Sequence, residues 1–597
     1  MRRRDLLATA AALPALQLPA QTERPNILWI TCEDMGPHLG CYGDRYATSP
    51  NVDKLAARSL RYLHVWSNAP VCAPARTTII SGMYPPSTGA EHMRSFTRLA
   101  DGQKMFPVYL REAGYYCTNN VKEDYNIAHT GKVWDESSSK AHWRGRKEGQ
   151  PFFAVFNFVI THESQIRRRP HTPVHDPAGV RIPAYHPDTP EVRRDWAQYY
   201  DNITEMDKMA GRVLAELEQD GLAGNTIVFF YSDHGSGMPR SKRWPYDSGL
   251  HVPMLVHVPD KFKNLAPPDY KRGGTTERLV SFVDLAPTVL SLAGIAKPAY
   301  HQGHAFLGPA PEQPYVYGFR GRMDERYDLV RSVRDKRFVY IRNYMPQRIY
   351  GQHLAYMFET PTTQKWKELY DAGKLNAVQK RFWEKKPAEE LYELGTDRDE
   401  VVNLAGVPEY RGTLERMRKA QRELAVQIRD VGFLPETEMH SRSEGRAPYS
   451  MGHDPARYAV ERVAGMADLA SRSVRPATEV FVKGLEDSDS GVRYWAAVGL
   501  MISGRTSPLQ KVLKDPSPCV RIAAAEALQA VDDLVDLADM DRHGIYTALL
   551  ALNALDTIGV SKVRAAADRI GRLPKDNDRV NDRMKTYAAR LIEHILG

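Results

Sequence analysis

The stretch ITEMDKMAGRVLAELEQDGLAGNTIVFFYSDHG, residues 203–235, holds a helical pattern, a glycine, a strand pattern and a polar end in succession. Apolar residues recur in its first half at spacings of three and four: Ile203, Met206, Ala210, Val213 and Leu217. Gly221 supplies the stop for this predicted helix. The nearly continuous apolar run 226–231 then predicts a strand that is covered on both faces.

Three further apolar runs predict strands of the same sheet: 26–31, 152–159 and 252–258. Strands separated by helices favour an α/β fold with a mostly parallel sheet and helices on both sides. Such a sheet binds its ligands beyond the carboxyl ends of its strands. Residues 329–334 and 337–342 flank Asp335 and Lys336, and they predict a hairpin in a smaller antiparallel sheet.

The composition of the 597-residue chain excludes a disordered or fibrous protein, because 42% of its residues are hydrophobic and can form a sizeable core. The formal net charge of +8 is small for this length and is not gathered into a basic stripe, so no nucleic-acid partner is expected. The five cysteines are odd in number and too sparse for a disulfide scaffold.

Residues 1–20 begin with Met-Arg-Arg-Arg-Asp, continue with an apolar run and end near a small residue, which predicts an export signal of the twin-arginine kind. The apolar run 6–20 is too short and too interrupted by proline for a transmembrane helix. We therefore expect an exported, periplasmic or extracellular protein without stable membrane insertion.

The C-terminal part of the chain has a different composition. A polar, proline-containing stretch at 433–455 is expected to be a linker, and residues 456–597 are rich in alanine and leucine. Segments that begin at Asp487 and Asp515 repeat Asp, Val and Arg at a period of 28 residues. This period predicts an all-α domain of HEAT-like helical repeats, whose surface could bind a protein partner.

Acidic and imidazole side chains follow two of the predicted strands. Glu33 and Asp34 come after the run 26–31, and Asp233 and His234 come after the run 226–231. Because the two pairs lie at strand ends, they could converge on one cation. Carboxylate oxygens with one imidazole suit a divalent ion, Ca²⁺ or alternatively Mn²⁺.

A loop entering a helix reads CAPARTTIISG at residues 72–82. Cys72-x-Pro74-x-Arg76, followed by this helix and Gly82, resembles the signature of the type I sulfatase family, whose cysteine is oxidised to formylglycine (3-oxoalanine). The resemblance covers about residues 24–405. It is supported by three further passages: Ser49-Pro-Asn-Val-Asp53, Phe282-Val-Asp284-Leu-Ala-Pro-Thr-Val and Glu390-Leu-Tyr-Glu-Leu-x5-Glu400-x-x-Asn403-Leu404.

The resemblance implies an alkaline-phosphatase-like α/β/α sandwich at 24–310 and a smaller antiparallel C-terminal subdomain at 311–432. Within the family, the chain looks most similar to bacterial heparan N-sulfatase-like enzymes. The implied partners are a sulfated carbohydrate as substrate and a formylglycine-generating enzyme during maturation.

Site residues are carried over from the family one by one. The implied metal ligands are Glu33, Asp34, modified Cys72, Asp233 and His234, although the family usually has Asp at position 33 and often Asn at position 234. The implied catalytic residues are Cys72, Arg76, Lys122, His162 and Lys242. At position 124, where the family commonly has histidine, this chain has aspartate. We expect His92 and Arg94 to line the substrate pocket.

These residues predict a sulfatase that hydrolyses sulfate esters or N-sulfate groups through a formylglycine hydrate and a divalent cation. In this interpretation Arg76 orients the hydrate, Lys122 and Lys242 offset the charge of the sulfate, and His162 protonates the leaving group. Two alternatives stay open. One is a phosphonate monoester or phosphodiester hydrolase, because Asp233-His234 resembles those relatives, and the other is a non-catalytic, repeat-bearing binding protein.

Overall fold

A computed structural model of the chain describes residues 23–128, 131–472, 478–578 and 580–597. The predicted export signal at 1–20 lies outside these residues. Among the described helices, none combines the length and the apolar character that crossing a membrane requires. All five cysteines lie within the described residues, and each of them is a free thiol.

An eight-stranded sheet, in the order β4-β3-β5-β1-β6-β7-β2-β8, forms the centre of the N-terminal part. Its strands are β1 (Asn26–Cys32), β2 (Leu60–Trp66), β3 (Tyr116–Asn120), β4 (Glu136–Ser137), β5 (Phe152–Phe158), β6 (Thr226–Ser232), β7 (His251–His257) and β8 (Thr275–Ser281). Strand β1 runs parallel to both β5 and β6. The four apolar runs identified in the sequence are therefore strands, as predicted, within one residue of their expected ends. The sheet is mixed, because β7 is antiparallel to both of its neighbours.

The chain up to residue 452 also forms helices. They are α1 (Pro50–Ala56), α2 (Cys72–Ser81), α3 (Pro85–Thr88), α4 (Phe106–Glu112), α5 (Glu163–Ile166), α6 (Pro190–Gln219), α7 (Asp247–Leu250), α8 (Leu285–Leu292), α9 (Ala355–Phe358), α10 (Pro361–Asp371), α11 (Ala377–Lys380), α12 (Arg411–Gln427), α13 (Glu436–Ser443) and α14 (Pro448–Gly452). Helix α6 begins earlier than its apolar pattern suggested, at Pro190, where the Thr189 side chain accepts a hydrogen bond from the Val192 N–H.

Alternate residues of the buried strands pack on opposite faces of the eight-stranded sheet. On one face, Leu28 and Phe230 join a core with residues of α1 and α6 such as Ile203. On the other face, Trp29 and Phe229 pack with residues of α2, α4 and α8. Because both faces are covered, the strand sequences are almost continuously apolar. The expected α/β/α sandwich is confirmed.

A second, antiparallel sheet has the order β12-β11-β10-β9. Its strands are β9 (Val316–Arg320), β10 (Val330–Arg334), β11 (Phe338–Asn343) and β12 (Glu389–Glu393). Strands β10 and β11 form the hairpin that the sequence predicts. The Asp335 carboxylate closes the turn by accepting hydrogen bonds from the N–H groups of Arg337 and Phe338, at 2.8 and 2.6 Å.

The stretch 433–455 is not a linker, and that expectation was wrong. It contains α13 and α14, and Met439 of α13 is fully buried. The Glu436 carboxylate makes a buried ion pair with Arg322, with Nε and Oε2 2.6 Å apart. The polar and proline residues of this stretch suggested a solvated segment. In the structure the charge of Glu436 is neutralised by Arg322, which lies 114 residues away in the chain.

The C-terminal part is helical, as predicted. Its helices are α15 (Val460–Arg472), α16 (Thr478–Gly484), α17 (Ser490–Ile502), α18 (Pro518–Leu528), α19 (Val531–Leu537), α20 (Met540–His543), α21 (Ile545–Ile558), α22 (Val560–Val563), α23 (Ala567–Gly571) and α24 (Tyr587–Leu596). The 28-residue repeat places the starts of α17 and α18 at equivalent positions, and Arg493 of the first unit pairs with Asp515 of the second at 2.8 Å. Assignment of these helices to the HEAT class stays a prediction.

The helical region packs directly on the rest of the chain. Its core is continuous with Tyr327, Leu329 and Tyr344, which lie in the loops next to the strands of the smaller sheet. Buried and half-buried ion pairs also cross the boundary, including Arg348–Glu526 and Arg326–Asp556, both at 2.7 Å. The helical region is therefore an integral layer of the molecule.

Candidate active site

Strand register brings three chain segments to one edge of the large sheet. Cys32, the last residue of β1, is aligned with Phe158 of β5 and with Ser232 of β6. Because the three strands are parallel, the residues that follow them leave the sheet at the same end. Glu33 and Asp34, residues 159–163, and Asp233 and His234 therefore lie together, as the sequence predicts.

Cys72 is the first residue of α2 and lies among these strand ends. Its Sγ atom is 3.8 Å from Asp34 Oδ1, 3.5 Å from His234 Nε2 and 3.8 Å from Lys242 Nζ. The thiol is buried, and burial by itself disfavours the thiolate. The ammonium groups of Lys122 and Lys242 outweigh this effect and lower the pKa of Cys72.

The donor set around Cys72 fits a divalent cation. Ligand atoms of Cys72, Asp233 and His234 lie within 4.8 Å of one another, and so do those of Glu33, Asp34, Cys72 and His162. Buried carboxylate oxygens need a positive charge beside them, and hard cations prefer such oxygens as ligands. The residues therefore suit the cation that the sequence implies.

The His234 ring is held in a ligand-like orientation. Its Nδ1 lies 3.0 Å from the Gly235 carbonyl oxygen, which can only accept, so Nδ1 carries a proton. Its Nε2 consequently faces the carboxylates, 2.9 Å from Asp34 Oδ1 and 3.7 Å from Asp233 Oδ1. Burial would lower the pKa of His234, but Asp233 and Asp34 raise it to about 10, so a cation has to displace the Nε2 proton.

Asp34 adopts a left-handed backbone conformation, with φ of 50°. Its N–H donates to Asp233 Oδ1 at 3.0 Å, and its Oδ2 accepts from the Glu163 N–H at 2.7 Å. A Cβ atom at Gly237 would lie only 3.0 Å from Asp34 Oδ2, so the backbone approaches this carboxylate as closely as glycine allows.

Glu33 contacts the lysine and the arginine that are predicted for the site. Its Oε1 lies 2.6 Å from Lys122 Nζ and 3.7 Å from Arg76 Nη2. Arg76 also holds Asp233, with Nε and Oδ2 3.1 Å apart. Arg76 therefore contacts acidic side chains that follow two different strands.

Lys242 lies between two carboxylates. Its Nζ is 2.6 Å from Asp34 Oδ2 and 3.1 Å from Glu163 Oε1. Burial disfavours its ammonium form, but Asp34, Cys72 and Glu163 outweigh this effect and raise the pKa of Lys242 well above its usual value. Lys242 therefore stays charged beside Cys72.

His162 caps the short helix α5. The Ser164 N–H donates to His162 Nδ1 at 3.3 Å, so the neutral ring carries its proton on Nε2. Burial and Lys242 lower the pKa of His162, whereas Asp34 and Cys72 raise it, and the net shift is upward. The ring can therefore hold a transferable proton near Cys72.

A cavity of about 200 Å³ opens at Cys72. It is lined by Cys72, Met93, Arg94, Lys122, Asp124, His162, Glu163, Lys242, Arg243, Asp324, Tyr356, Arg583, Thr586, Tyr587 and Arg590. Arg94 lines this cavity, but His92 does not. The fully buried His92 ring accepts a hydrogen bond from the Arg322 N–H at 2.9 Å and stacks on Tyr327, which is a packing role.

Sequence reasoning missed several lining residues. Arg243 makes a double hydrogen bond to the Glu163 carboxylate, at 2.8 and 2.9 Å, and also holds Asp324 at 2.8 Å. The position of Arg243 next to Lys242, and that of Glu163 next to His162, were the available signals. No local pattern pointed to Asp324 or to the arginines of the C-terminal region.

Two family models match this chain. The one described as Sulfatase matches residues 25–131 and 116–295. The one described as N-sulphoglucosamine sulphohydrolase, C-terminal, matches residues 240–380. Together they span the eight-stranded sheet, the predicted metal ligands and most of the smaller sheet.

Two curated sulfatases are similar in sequence to this chain, and a solved structure is similar in fold. An ulvan-active sulfatase of Formosa agariphila is 41% identical over 475 residues, covering 71% of this chain and 78% of that protein. The human N-sulphoglucosamine sulphohydrolase is 26% identical, with coverage of 66% and 88%. The phosphonate monoester hydrolase of Silicibacter pomeroyi has a similar fold, with a TM-score of 0.51, 16% identity and coverage of 69% and 97%.

Proposed function

The chain belongs to the sulfatase family and is a sulfuric ester hydrolase, and from that premise we propose that it removes sulfate from carbohydrate at a centre built on Cys72. The observation that carries the proposal is the position of the Cys72 thiol. A carboxylate, an imidazole and an ammonium group, from the segments that follow β1 and β6, all lie within 4 Å of Sγ. A structural cysteine in an apolar core has no need of such neighbours.

We propose that Cys72 is matured to formylglycine and that a divalent cation, Ca²⁺ or alternatively Mn²⁺, binds beside it. Glu33, Asp34, Asp233 and His234 would hold the cation together with residue 72. When bound, these groups supply an activated hydroxyl and a positive charge for the sulfate oxygens.

The side chains of the protein position and neutralise the sulfate. A sulfate group carries negative charge on oxygens that shield its sulfur, so attack requires cationic partners. Lys122 and Lys242 lie on the cavity wall and remain charged, because Glu33 and Asp34 stabilise their ammonium groups. Arg76 would keep the acidic strand ends in place through its contacts with Asp233 and Glu33.

The departing oxygen or nitrogen of the sugar needs a proton. His162 lines the cavity, and its upward-shifted pKa favours the protonated ring. We assign it the role of general acid, with Nε2 as the atom that donates. In the protonated ring Nδ1 also carries a proton, which it donates to Ser164 Oγ at 2.9 Å, and this leaves Nε2 for the leaving group.

The relatives indicate which substrates to test first. The 41% identical relative is named an ulvan-active sulfatase, so sulfated ulvan oligosaccharides come first. Substrates with N-sulfated glucosamine come second, because the C-terminal family model and the human relative carry that name.

We further propose that the protein is exported, with the catalytic domain at 24–310 and its subdomain at 311–432, and that the helices at 456–597 are HEAT-like.

A phosphonate monoester or phosphodiester hydrolase is the second candidate. His234 beside Asp233 favours it, and the fold is shared with a phosphonate monoester hydrolase. Purified enzyme should be assayed side by side on an aryl sulfate, an aryl phosphodiester and a phosphonate monoester. A higher kcat/KM on either phosphorus substrate would replace the sulfatase proposal.

The decisive experiment combines mass spectrometry with sulfate release. The tryptic peptide 62–76 from homologously expressed protein should carry the aldehyde mass at Cys72, and the same preparation should release sulfate from sulfated oligosaccharides. Unmodified thiol together with no sulfate release would contradict the proposal and favour a binding protein.

A further inference from the structure

The C-terminal helical region forms part of the active-site cavity. Arg583, Thr586, Tyr587 and Arg590 line its wall, and they lie at the start of α24 or just before it. Two of these four residues are arginines and none is acidic. We call Arg583 and Arg590 the arginine pair.

Contacts with the catalytic part hold this wall in place. Arg583 Nη1 lies 3.2 Å from Asp124 Oδ1, and the Tyr587 hydroxyl donates to Asp324 Oδ1 at 3.2 Å. Asp124 follows Lys122 in the chain, and Asp324 is bound by Arg243. The wall is therefore attached to residues that themselves line the cavity.

The arginine pair brings positive charge that the protein does not fully neutralise. Asp124 Oδ1 is shared, because Arg94 Nη1 lies 3.1 Å from the same oxygen that Arg583 contacts. With the residues that the structure describes, Arg590 forms no ion pair. The Arg583 side chain is 41% exposed, so it is available to a ligand.

The sulfate that reacts does not need this charge. Lys122 and Lys242 are the cations beside Cys72, whereas Arg583 is separated from that centre by a carboxylate. Asp124 Oδ2 is 3.8 Å from Lys122 Nζ, and Oδ1 of the same residue contacts Arg583. Asp124 therefore lies between Lys122 and Arg583, and a group bound at Arg583 would be distinct from the sulfate beside Lys122.

We propose that the arginine pair binds a second anion on the substrate, a carboxylate or another sulfate, next to the sulfate that is removed. This inference rests on the proposed function and narrows its substrate class to carbohydrates that carry at least two anionic groups near each other. Guanidinium groups match the paired oxygens of both anions. The N-terminal end of α24, where Thr586 makes no side-chain capping hydrogen bond, adds partial positive charge.

The test uses the full chain and three matched oligosaccharides. The first carries one sulfate and one uronate carboxylate, and the second is its carboxyl-reduced form with the sulfate alone. The third is the reduced form with a second sulfate. Arg583→Gln, Arg590→Gln and the double variant are compared with the parent chain. Arg572→Gln, an exposed arginine that does not line the cavity, is the matched control.

We expect the parent chain to prefer one of the two dianionic compounds over the monoanionic compound, mainly through a lower KM. Which dianion is preferred distinguishes a carboxylate from a second sulfate. The double variant should reduce that preference about tenfold or more, as expected for a lost charge-assisted contact, and Arg572→Gln should retain it. Equal losses on all three compounds, or no loss at all, would overturn the inference.

Binding to the Cys72→Ala chain separates this inference from the proposed function. Calorimetric titration with the same three compounds measures how the arginine pair affects binding affinity, without turnover. Tighter binding of a dianionic compound that the double variant abolishes supports the inference, even if the parent chain releases no sulfate. Equal affinity for all three compounds overturns it, even if the parent chain is an active sulfatase.

Discussion

The Arg583 guanidinium lies 3.2 Å from the Asp124 carboxylate and so joins two residues that are 459 positions apart in the chain. Asp124 also binds Arg94, with Oδ1 and Nη1 3.1 Å apart. Its backbone is left-handed, with φ of 51°, a conformation that aspartate tolerates better than most side chains. Position 124 therefore connects the helical region to the cavity rim.

Cys72→Ala should abolish sulfate release, because the chain then has no residue at position 72 that can be oxidised. Sulfate is measured by ion chromatography, and folding is checked by the melting temperature. Cys41→Ser, which changes a half-buried cysteine away from the cavity, is the control and should keep activity. Sulfate release by Cys72→Ala would contradict the assignment of the nucleophile.

Lys122→Ala and Lys242→Ala should each lower kcat/KM roughly 100-fold to 1,000-fold, the usual effect of removing one preorganised donor from a transition state. Loss of Lys242 also leaves Asp34 and Glu163 without their shared ammonium group. The melting temperature of Lys242→Ala should therefore fall more than that of Lys122→Ala. The exposed Lys140→Ala serves as the control. Loss of less than tenfold in both site variants would show that other groups neutralise the sulfate.

The dependence of kcat on pH should reflect the protonation of His162. Its pKa is raised above the ordinary value of 6.5, and the acid form is the active one, so kcat should be retained below this pKa and fall as pH rises through it. His162→Ala should lower kcat about 100-fold and remove that alkaline limb. His453→Ala, at an exposed position, should change neither kcat nor its alkaline limb. An unchanged limb in His162→Ala would assign the titration to another group.

Removal of divalent cations with a chelator should abolish activity and lower the melting temperature. Added Ca²⁺ should restore both, and at a hundredfold excess over Kd it stabilises the folded state by about 2.7 kcal/mol. Asp34→Asn should lose the Ca²⁺-dependent shift, whereas the exposed Asp188→Asn should keep it. Restoration by Mn²⁺ alone would identify the other ion, and a chelator without effect would contradict the cation site.

Glu436→Gln should destabilise the protein by about 3 kcal/mol, because it leaves the Arg322 guanidinium buried without its partner. Burial raises the pKa of Glu436, but Arg322 and His92 outweigh this effect and lower it from 4.5 to about 2. The ion pair therefore stabilises fully above pH 4.5, and its contribution is lost as pH falls towards 2.

Urea unfolding of the parent chain, Glu436→Gln and the exposed Glu461→Gln between pH 2 and 7 measures this effect. The difference between the parent chain and Glu436→Gln should shrink below pH 4.5, whereas Glu461→Gln should follow the parent throughout. A difference that does not change with pH would mean that the carboxylate charge at position 436 is not the cause.

Several elements of the fold and site could be predicted because their signals are local. The four apolar runs became strands of one sheet, and the Asp335 turn became a hairpin. The residues after β1 and β6 converge because parallel register aligns Cys32 with Ser232. His92 was misplaced because its neighbours along the chain, Met93 and Arg94, do line the cavity while its own ring points into the core.

The amino-acid sequence by itself determined the α/β architecture, the acidic strand ends and Cys72 at the start of a helix, because periodicity and short motifs are properties of neighbouring residues. Only the tertiary structure decided that 433–455 is packed, that Glu33 binds Lys122, and that Arg583 and Arg590 reach the cavity. Ion pairs between residues tens to hundreds of positions apart leave no periodic trace in the chain. They form only where the folded backbone brings opposite charges together in a poorly solvated space.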